Sequence, residues 1–403
     1  MGTELEYKVF LQDSFLNMAE KLGFERIDTP FYEQRNLFAR SVGEETDIVQ
    51  KELFDLEKKG DEIYSLRPEL TAGIVRSVIE NGIKSKPLPY KVYNFGQVFR
   101  YEKPQAGRFR EINQLDLEIF SLKNELVDAF IIAASYKFLV KMTGEKLIVS
   151  LGFMGSDETK KRYSQLLKTY LLENERLFCD TCKNRMKTNA LRVLDCKSPE
   201  CQDALKSAPR ISDILSDEEK TYSANVQDLL KVAGVNYCLD DKLVRGLDYY
   251  TSTVFEINIE SDKSRQSTLA GGGRYDSLVS ELGGPDVGAC GVGFGVERII
   301  EFMKKTALMA KSKKAFFVFN KKAADTAIKT LFENENSNLV IDLDFKDLGV
   351  SKSLSYANAN NYDYVFLLGD EEISEDNISI KKMSDGTQEK VKFSDIKRYI
   401  LDL

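Results

Sequence analysis

The chain has 403 residues, 42% of them hydrophobic, and this length suits two or three packed domains. Its formal net charge of −7 argues against broad, non-specific nucleic-acid binding, although a local basic patch remains compatible with a specific partner. The sequence contains no histidine, which excludes Ser–His–Asp triads, Cys–His pairs and imidazole metal ligands. Catalysis must therefore use carboxylates, Arg, Lys, Tyr, backbone dipoles or a metal held by oxygen or sulfur. Phosphoryl and nucleotidyl transfer fit that restriction.

The sequence also gives expectations about membranes and targeting. No run of about twenty apolar residues is present, so we expect no transmembrane helix. Residues 1–7 lack a basic segment followed by an apolar one, so we expect no secretory signal peptide. Glu4 and Glu6 argue against a transit peptide. A cytoplasmic protein is the simplest interpretation.

The first third of the chain predicts helices and strands in alternation. Apolar residues at helical spacing predict a helix over residues 4–22, which Gly23 ends. Residues 51–67 have the pattern of a β-hairpin. The elements expected next are a helix at 70–81, strands at 91–101 and 108–120, and a helix at 125–142.

The middle of the chain changes character. Residues 160–235 are charged, helical in pattern and hold four of the six cysteines, so we interpret them as an insertion. Strand-like sequence resumes at 242–259 and 267–270, and the glycines at 271–273 lead to a short helix. A glycine-spaced strand at 288–295 then enters a helix at 296–305.

The C-terminal part predicts a separate small domain. After a short basic link at 311–314, the pattern is strand, helix, strand, helix, strand. These elements are expected at 315–319, 323–333, 339–343, 350–360 and 364–368. A βαβαβ order of this kind predicts an α/β domain with parallel strands.

The predicted strand at 108–120 alternates between apolar and charged residues. Leu115, Leu117 and Ile119 share one face, and Gln114, Asp116 and Glu118 share the other. A half-solvated antiparallel sheet is the more common cause of such alternation. The alternative is that the polar face forms the floor of a binding site, and periodicity alone leaves both interpretations open.

Several segments, in order along the chain, resemble the motifs of histidyl-tRNA synthetases, a family of class II aminoacyl-tRNA synthetases. Residues 99–110 (FRYEKPQAGRFR) resemble motif 2, residues 243–251 (LVRGLDYYT) the histidyl signature, and residues 291–298 (GVGFGVER) motif 3. Residues 271–276 (GGGRYD) resemble a second glycine-rich signature, and residues 66–72 (LRPELTA) an amino-acid-binding segment. The region from Gly23 through Pro30 to Glu33 fits motif 1, a dimer-interface element. One glycine-rich loop would be weak support, but ordered motifs over nearly the whole chain are strong.

The resemblance implies an α+β class II catalytic domain over residues 1–311, an antiparallel sheet flanked by helices, with the helical insertion at about 160–235. A C-terminal α/β anticodon-binding domain would occupy 315–403. It also implies a homodimeric histidine–tRNA ligase that uses ATP, Mg²⁺, L-histidine and tRNA(His).

The resemblance further implies an ATP site built from four arginines and a glutamate. Arg100 and Arg245 would stabilise charge on the α-phosphate, as the catalytic residues. Arg108 would hold the γ-phosphate end, and Arg298 and Glu102 would contact the nucleotide. Arginine suits these roles because it is permanently cationic and binds two oxygens at once. The chain departs from the family at Lys103, where many members carry Arg, which loses the two-pronged contact in a loop that reaches the tRNA acceptor end.

Histidine recognition would need an anion for the ammonium group and two partners for the ring nitrogens. By resemblance, Glu69, Thr71 and Gln114 form the ammonium site, Glu118 and Tyr250 bind the imidazole, and Tyr275 lines the pocket. Tyr249 would lie on the other face of the same predicted strand and therefore pack internally. Such a site can reject analogues by roughly 10⁴-fold, because its buried polar groups would be left unpaired.

Four cysteines lie close together in the insertion. Cys179 and Cys182 form a C-x-x-C pair, and Cys196 and Cys201 follow. The spacing resembles a zinc ribbon or knuckle, whereas the alternative is four reduced thiols in a small helical insertion. We expect Cys238 and Cys290 to be buried as small apolar residues.

Two other functions share part of this pattern. One is a non-catalytic relative that binds histidine, such as a regulatory subunit of ATP phosphoribosyltransferase, which would be expected to have eroded motifs and no C-terminal domain. The other is a tRNA-sensing domain of a stress kinase, but a kinase H-R-D segment is impossible without histidine. The presence of Arg100, Arg245 and Arg298 favours the enzyme.

Overall fold

The computed structural model describes residues 3–44, 46, 48–58, 60–102, 109–262, 267–306, 313–333, 339–345 and 349–402. Two compact units make up the chain, Met1–Met309 and Ala310–Leu403. Within the described ranges, no helix is both long and apolar enough to cross a bilayer. The loop at 103–107 and the predicted phosphate ligand Arg108 lie outside the described residues.

The first unit is built on one large sheet. Its described strands, in chain order, are β1 (Glu25–Arg26), β2 (Tyr32–Gln34), β3 (Tyr64–Leu66), β4 (Tyr90–Phe99), β5 (Glu111–Ser121), β6 (Leu147–Phe153), β7 (Tyr237–Leu239), β8 (Thr251–Ile259), β9 (Thr268–Arg274) and β10 (Gly288–Gly295). Eight of them form a sheet in the order β1-β4-β5-β10-β9-β8-β6-β7, and β2 pairs with β3 separately. The six central strands are antiparallel, while β1 and β7 pair in parallel at the edges. The predicted antiparallel sheet flanked by helices is therefore confirmed.

Some helices of the first unit pack on the large sheet, and others form the segment between β6 and β7. The described helices of the first unit are α1 (Thr3–Lys21), α2 (Arg35–Val42), α3 (Thr71–Glu80), α4 (Glu125–Thr143), α5 (Asp157–Glu173), α6 (Asp180–Thr188), α7 (Pro199–Ala204), α8 (Asp217–Val232), α9 (Leu278–Glu281) and α10 (Val296–Thr306). Helices α1, α4 and α10 supply residues to one core on the sheet. Helices α5 to α8 follow one another between β6 and β7, and short 3₁₀ turns such as Ala190–Val193 connect them.

The main core shows why the alternation in β5 matters. Leu115, Leu117 and Ile119 lie in the core beneath α1, α4 and α10. The rings of Phe15 and Phe294 meet edge to face with centroids 5.5 Å apart in the same core. This apolar packing fixes the orientation of β5, so its polar residues must point to the opposite face of the sheet.

A buried ion pair ties the helices to the sheet. Arg274 of β9 has a fully buried side chain and pairs with Asp128 of α4 at 2.5 Å. The same carboxylate accepts hydrogen bonds from Tyr222 of α8 and Thr253 of β8, at 2.9 and 2.5 Å. Removing one partner of such a network leaves an uncompensated charge and costs about 3–5 kcal/mol. The network therefore holds α4, α8 and two central strands together.

Two predicted elements differ from the structure. The strand expected at 242–259 begins only at Thr251, and residues 241–250 are turns and loop. The hairpin expected at 51–67 is present only in part: residues 54–56 pair antiparallel with residues 64–66, whereas the chain up to Glu52 is a π-helical turn, Ile48–Glu52. The second arm also pairs with β2 on its other side.

The second unit has its own sheet and core. Its strands β11 (Lys314–Phe319), β12 (Val340–Leu343), β13 (Tyr364–Leu368), β14 (Asn377–Lys382) and β15 (Gln388–Lys392) are ordered β12-β11-β13-β14-β15. Its helices are α11 (Ala324–Glu333), α12 (Val350–Ala359), α13 (Asp370–Ser374) and α14 (Ile396–Asp402). The first three strands are parallel, which confirms the predicted βαβαβ pattern. The sequence did not predict the antiparallel pair β14–β15 that extends the sheet.

Candidate active site

A pocket opens on the face of the large sheet opposite the main core. It is lined by nine of the predicted site residues: Glu69, Thr71, Arg100, Glu102, Gln114, Arg245, Tyr250, Tyr275 and Arg298. The glycine-rich strands β9 and β10 form much of its floor. Segments that are far apart in the chain therefore meet at one place, as the binding-site interpretation of the polar face requires. The alternative of a half-solvated face is wrong, because Asp116 and Glu118 are each only 1% exposed.

The floor is shaped by the pairing of β5 with β10. Gln114, Asp116 and Glu118 lie directly opposite Gly295, Gly293 and Gly291. A side chain at residue 291 would overlap the carboxylate of Glu118. The glycine at 291 is thus required because it lets this carboxylate lie across the neighbouring strand.

Glu118, a predicted imidazole ligand, does not itself line the pocket but is held from both sides directly behind two residues that do, Thr71 and Tyr275. Thr71 donates its hydroxyl proton to Oε1 at 2.8 Å, and Tyr275 donates its own to Oε2 at 2.5 Å. Burial raises the pKa of Glu118 to about 8, although these two hydroxyl groups favour the charged form. Burial and the neighbouring Glu118 also raise the pKa of Asp116 well above its usual range. These carboxyls therefore favour a cationic or proton-donating ligand that would compensate their burial.

Glu69 forms a second anionic wall of the pocket. Its two carboxylate oxygens accept the backbone N–H groups of Thr71 and Ala72, each at 2.8 Å, at the start of α3. Burial raises the pKa of Glu69, whereas these N–H groups act in the opposite direction. The side chain is therefore fixed in place by the helix end, and it is ready to accept further hydrogen bonds.

Three tyrosines line this end of the pocket. The rings of Tyr249 and Tyr250 are 4.6 Å apart, and Tyr249 lies 5.5 Å from Tyr275. Burial raises the pKa of Tyr250 to about 12, so its phenol keeps its proton and can act as a donor. The prediction that Tyr249 packs away from the site is wrong: both tyrosines line the pocket, because they precede β8 and do not follow the alternation of a strand.

The arginines occupy the remaining walls. Arg245 pairs with Glu256 of β8 and lies over Gly271, where a β-carbon would overlap its guanidinium group. Arg100 donates to the carbonyl of Pro68 at 2.9 Å, and Arg298 donates to the carbonyl of Thr268 at 3.0 Å. All three arginines line the pocket, which suits recognition of an anion such as a phosphate.

The pocket thus combines two chemistries. Buried carboxyls and phenols at one end suit an ammonium group and a heterocycle with N–H donors. The arginines around them suit a polyanion. An amino acid and a nucleotide together would fit both ends, and a carboxylate held between them could attack phosphorus with loss of a phosphate leaving group.

Comparisons with known proteins place the chain in a family. A family model described as "Histidyl-tRNA synthetase" matches residues 3–299, and one described as "Anticodon binding domain" matches residues 310–403. The chain belongs to the histidyl-tRNA synthetase family. The histidine–tRNA ligase of Clostridioides difficile is 36% identical over 390 residues, which cover 96% of this chain and 93% of that protein.

Solved structures of the family share the fold. The apo histidyl-tRNA synthetase of S. aureus has a TM-score of 0.77 at 28% identity, covering 97% of this chain and 95% of the other. A Bacillus halodurans protein titled "ATP phosphoribosyltransferase regulatory subunit/histidyl-tRNA synthetase" has a TM-score of 0.63 at 21% identity. The match covers 91% of this chain and 94% of that one. This last likeness shows the fold alone.

The four cysteines of the insertion also come together. The Sγ atoms of Cys179, Cys182, Cys196 and Cys201 all lie within 4.8 Å of one another. The sulfurs of Cys179 and Cys196 are 3.9 Å apart, and the backbone N–H of Cys179 donates to the sulfur of Cys201 at 3.2 Å. Cys290 is buried as predicted, but the prediction for Cys238 is wrong, because it is exposed on the edge strand β7.

Sequence reasoning missed residues that shape the site without lying in a motif. Lys160 of α5 donates to the backbone carbonyls of Asp248 and Tyr250, each at 2.8 Å. Its neighbours on the helix are themselves polar or charged, so nothing in the local sequence distinguishes this lysine or shows its distant partner. Tyr249 could have been found, because Gly246 and Asp248 are typical of a turn before the strand.

Proposed function

We propose that this chain activates L-histidine with ATP and transfers it to tRNA(His), releasing diphosphate and AMP. One observation carries the proposal: a single pocket joins an acidic end, where Glu69 lines the wall and the lining residues Thr71 and Tyr275 hold Glu118 directly behind it, to the guanidinium groups of Arg100, Arg245 and Arg298. The first group suits the cationic and N–H-donating parts of histidine. The second group suits the phosphates of ATP.

The first step is attack of the histidine carboxylate on the α-phosphorus. A carboxylate oxygen forms a bond to phosphorus while the bond from phosphorus to the bridging oxygen of diphosphate breaks. Negative charge accumulates on the α-phosphate oxygens, and Arg100 and Arg245 stabilise it without any proton transfer. Arg298 and Glu102 bind the nucleotide beside them. Arg108 keeps its proposed role at the γ-phosphate end.

The second step needs no imidazole from the protein. A terminal ribose hydroxyl of the tRNA attacks the carbonyl carbon of histidyl-adenylate, and an ester bond forms. AMP leaves with the electron pair of the broken C–O bond, and the hydroxyl proton passes to a phosphate oxygen of the departing AMP. The complete absence of histidine from the chain is compatible with both steps, because positioning and charge stabilisation carry them.

Histidine selectivity is assigned to the end of the pocket where Glu69, Tyr250 and Tyr275 lie. Glu69, Thr71 and Gln114 bind the α-ammonium group, and Glu118 and Tyr250 bind the two ring nitrogens. Tyr275 fixes the orientation of Glu118 through its 2.5 Å hydrogen bond. An amino acid without ring nitrogens would leave Glu118 buried without a compensating ligand, which costs binding energy.

Mg²⁺ is the metal proposed to accompany ATP. Carboxylate oxygens are suitable ligands for it, and both Glu102 and Glu297 line the pocket near the proposed nucleotide position. When bound, the ion would neutralise part of the phosphate charge.

The C-terminal unit is the proposed anticodon-binding domain, with limits at 315–403. The proposed catalytic domain spans 1–311, and its insertion lies at about 160–235. Support comes from the matching family model and from its independent sheet and core. The segment carries more acidic than basic residues, so local basic patches must make the RNA contacts.

A homodimer is also proposed. The segment that resembles motif 1 exposes two neighbouring aromatic side chains, Phe31 and Tyr32, at 53% and 54% of their surface. Exposed aromatic groups of this kind are enriched where protein surfaces meet. Sedimentation analysis of the full chain measures directly whether it is a monomer or a dimer.

A structural zinc ion is proposed at the four cysteines. Zinc bound by four thiolates at about 2.3 Å in a tetrahedron places the sulfurs about 3.8 Å apart. The 3.9 Å separation of the Cys179 and Cys196 sulfurs fits that geometry. The backbone N–H that points at Cys201 would stabilise a thiolate there.

A histidine-dependent exchange of pyrophosphate into ATP tests the function. We expect exchange with L-histidine at least about 10⁴-fold more efficient than with other amino acids. A regulatory relative that only binds histidine would give binding without exchange. Exchange driven equally by another amino acid would contradict the proposed specificity.

A further inference from the structure

The loop Gly246–Tyr250 carries two of the tyrosines that line the pocket, but it forms no regular secondary structure of its own. Its position depends on contacts from other segments. The backbone N–H of Asp248 donates to the carbonyl of Val42 at 3.1 Å, and Lys160 binds the carbonyls of Asp248 and Tyr250. The placement of Tyr249 and Tyr250 therefore depends on how firmly these neighbours are held.

A second set of contacts comes from the cysteine-bearing part of the insertion. Arg192 donates to the carbonyl of Gly246 at 3.0 Å, and Asn189 donates to Oδ1 of Asp248 at 3.2 Å. Both donors belong to the short segment Asn189–Val193, which connects α6 to the stretch before α7. This segment, here called the clamp, is thus in direct contact with the loop that carries the tyrosines.

The clamp lies between metal-ligand candidates in the chain. Cys182 lies on α6 before it, Cys196 follows it, and the two sulfurs lie within 4.8 Å of each other. A metal bound to both thiolates would close the intervening chain into a short loop. Closing a loop in this way removes conformational freedom from everything inside it, including Asn189 and Arg192.

We propose that a metal ion held by Cys179, Cys182, Cys196 and Cys201 fixes the clamp against the loop Gly246–Tyr250, so that metal occupancy sets the affinity for histidine. The metal site is a positioning device and takes no part in the chemistry. Asn189 and Arg192 are positioning residues that act through the backbone and side chain of the loop. The inference about affinity rests on the proposed function, whereas the metal site itself does not.

The first experiment measures metal and histidine binding separately. The full chain is purified under reducing conditions, and its zinc content is measured by mass spectrometry. We expect roughly one zinc per chain and its loss in Cys196→Ser. In that variant the histidine KM in pyrophosphate exchange should rise about tenfold, with the ATP KM changed by less than about twofold. Hydrogen exchange of the backbone at 244–250 should also become faster.

Matched variants separate the metal from the clamp. Cys238→Ser, which removes an exposed thiol outside the cluster, should keep the zinc and the wild-type histidine KM. Asn189→Ala combined with Arg192→Ala should keep the zinc but raise the histidine KM as Cys196→Ser does. Adding Cys196→Ser to that pair should cause little further change, because both act through one connection.

Three outcomes would contradict the metal site, the coupling and the proposed function in turn. A chain without zinc, and without zinc uptake at micromolar concentration, would overturn the metal site. A zinc-free Cys196→Ser variant with unchanged histidine KM and unchanged hydrogen exchange would overturn the coupling. A zinc-loaded wild-type chain with no histidine-dependent exchange would overturn the proposed function, and the hydrogen-exchange comparison would then decide on the clamp alone.

Discussion

Tyr275 donates a hydrogen bond of 2.5 Å to Glu118 from a strand end 157 residues further along the chain. The hydroxyl holds one carboxylate oxygen while Thr71 holds the other. The carboxylate is therefore preorganised before any substrate arrives, directly behind the pocket wall to which Thr71 and Tyr275 belong.

Replacing Glu118 by Gln tests this arrangement. The amide keeps the size of the side chain but loses the charge, so the charge-assisted bond to the histidine ring is weakened. We expect kcat/KM for histidine in pyrophosphate exchange to fall about 10- to 100-fold, which corresponds to losing a hydrogen bond of about 1.5–3 kcal/mol. The ATP KM should stay close to that of wild type. Tyr250→Phe should act in the same direction, and wild-type histidine kinetics in both variants would contradict the proposed ring contacts.

The polar face of β5 shows how far the sequence could predict this site. Alternation alone separated Gln114, Asp116 and Glu118 from the apolar face, and the core confirms that separation. The pairing of these residues with Gly295, Gly293 and Gly291 could not be predicted, because strand register depends on distant segments. The glycine-spaced motif was recognised by resemblance, and only the register explains why side chains are excluded there.

The errors in the prediction have local physical causes. The strand expected from residue 242 was extended through Gly246 and Asp248, two residues that favour turns, and this placed Tyr249 on the wrong face. The predicted hairpin was started too early, since the chain is still in a π-helical turn up to Glu52 and pairs only over residues 54–56. The gathering of the four cysteine sulfurs was only one of two open alternatives, since sequence spacing does not fix three-dimensional distance.

The buried carboxyl at Glu118 predicts a pH dependence of stability. Folding raises the pKa of Glu118 from 4.5 to about 8. The contribution of this group to the free energy of unfolding is therefore complete below about pH 4.5 and is lost as the pH rises through 8. The free energy of unfolding of the ligand-free protein should therefore fall between pH 5 and pH 8.5, and Glu118→Gln should show a smaller fall. Urea unfolding at several pH values measures it. A variant with the wild-type pH dependence would show that another group causes the effect.

The contact of Arg245 with Gly271 predicts a pair of related phenotypes. Arg245→Ala should lower the rate of histidine activation about 10²-fold or more, because one donor to the developing charge is lost. The histidine dissociation constant should change much less. Gly271→Ala should give the same kind of defect, because the added methyl group displaces the guanidinium group while the fold adjusts around a flexible side chain.

The double variant provides the control for this prediction. If Gly271→Ala acts only through Arg245, then adding it to Arg245→Ala should cause little further loss of activation. Fully multiplicative losses would show that the glycine is needed for another reason. Unchanged activation in Arg245→Ala would contradict the role proposed for this arginine.

The separation of the chain into two units predicts different effects on the two half-reactions. Removal of residues 310–403 should abolish the charging of tRNA but leave some histidine-dependent pyrophosphate exchange, since the pocket lies within the first unit. The truncated chain should keep a cooperative unfolding transition, because the first unit has its own cores. Full charging by a folded truncated chain would contradict the proposed role of the second unit.

The most direct test of the central claim is attachment of labelled histidine to purified tRNA. The full chain is incubated with ATP, Mg²⁺, L-histidine and total tRNA, and the charged species are separated on acidic gels. We predict ATP-dependent formation of histidyl-tRNA that is confined to tRNA(His) and is strongly reduced by Glu118→Gln. Tight histidine binding without any charging of tRNA would contradict the account and would leave a histidine-binding regulatory protein as the better explanation.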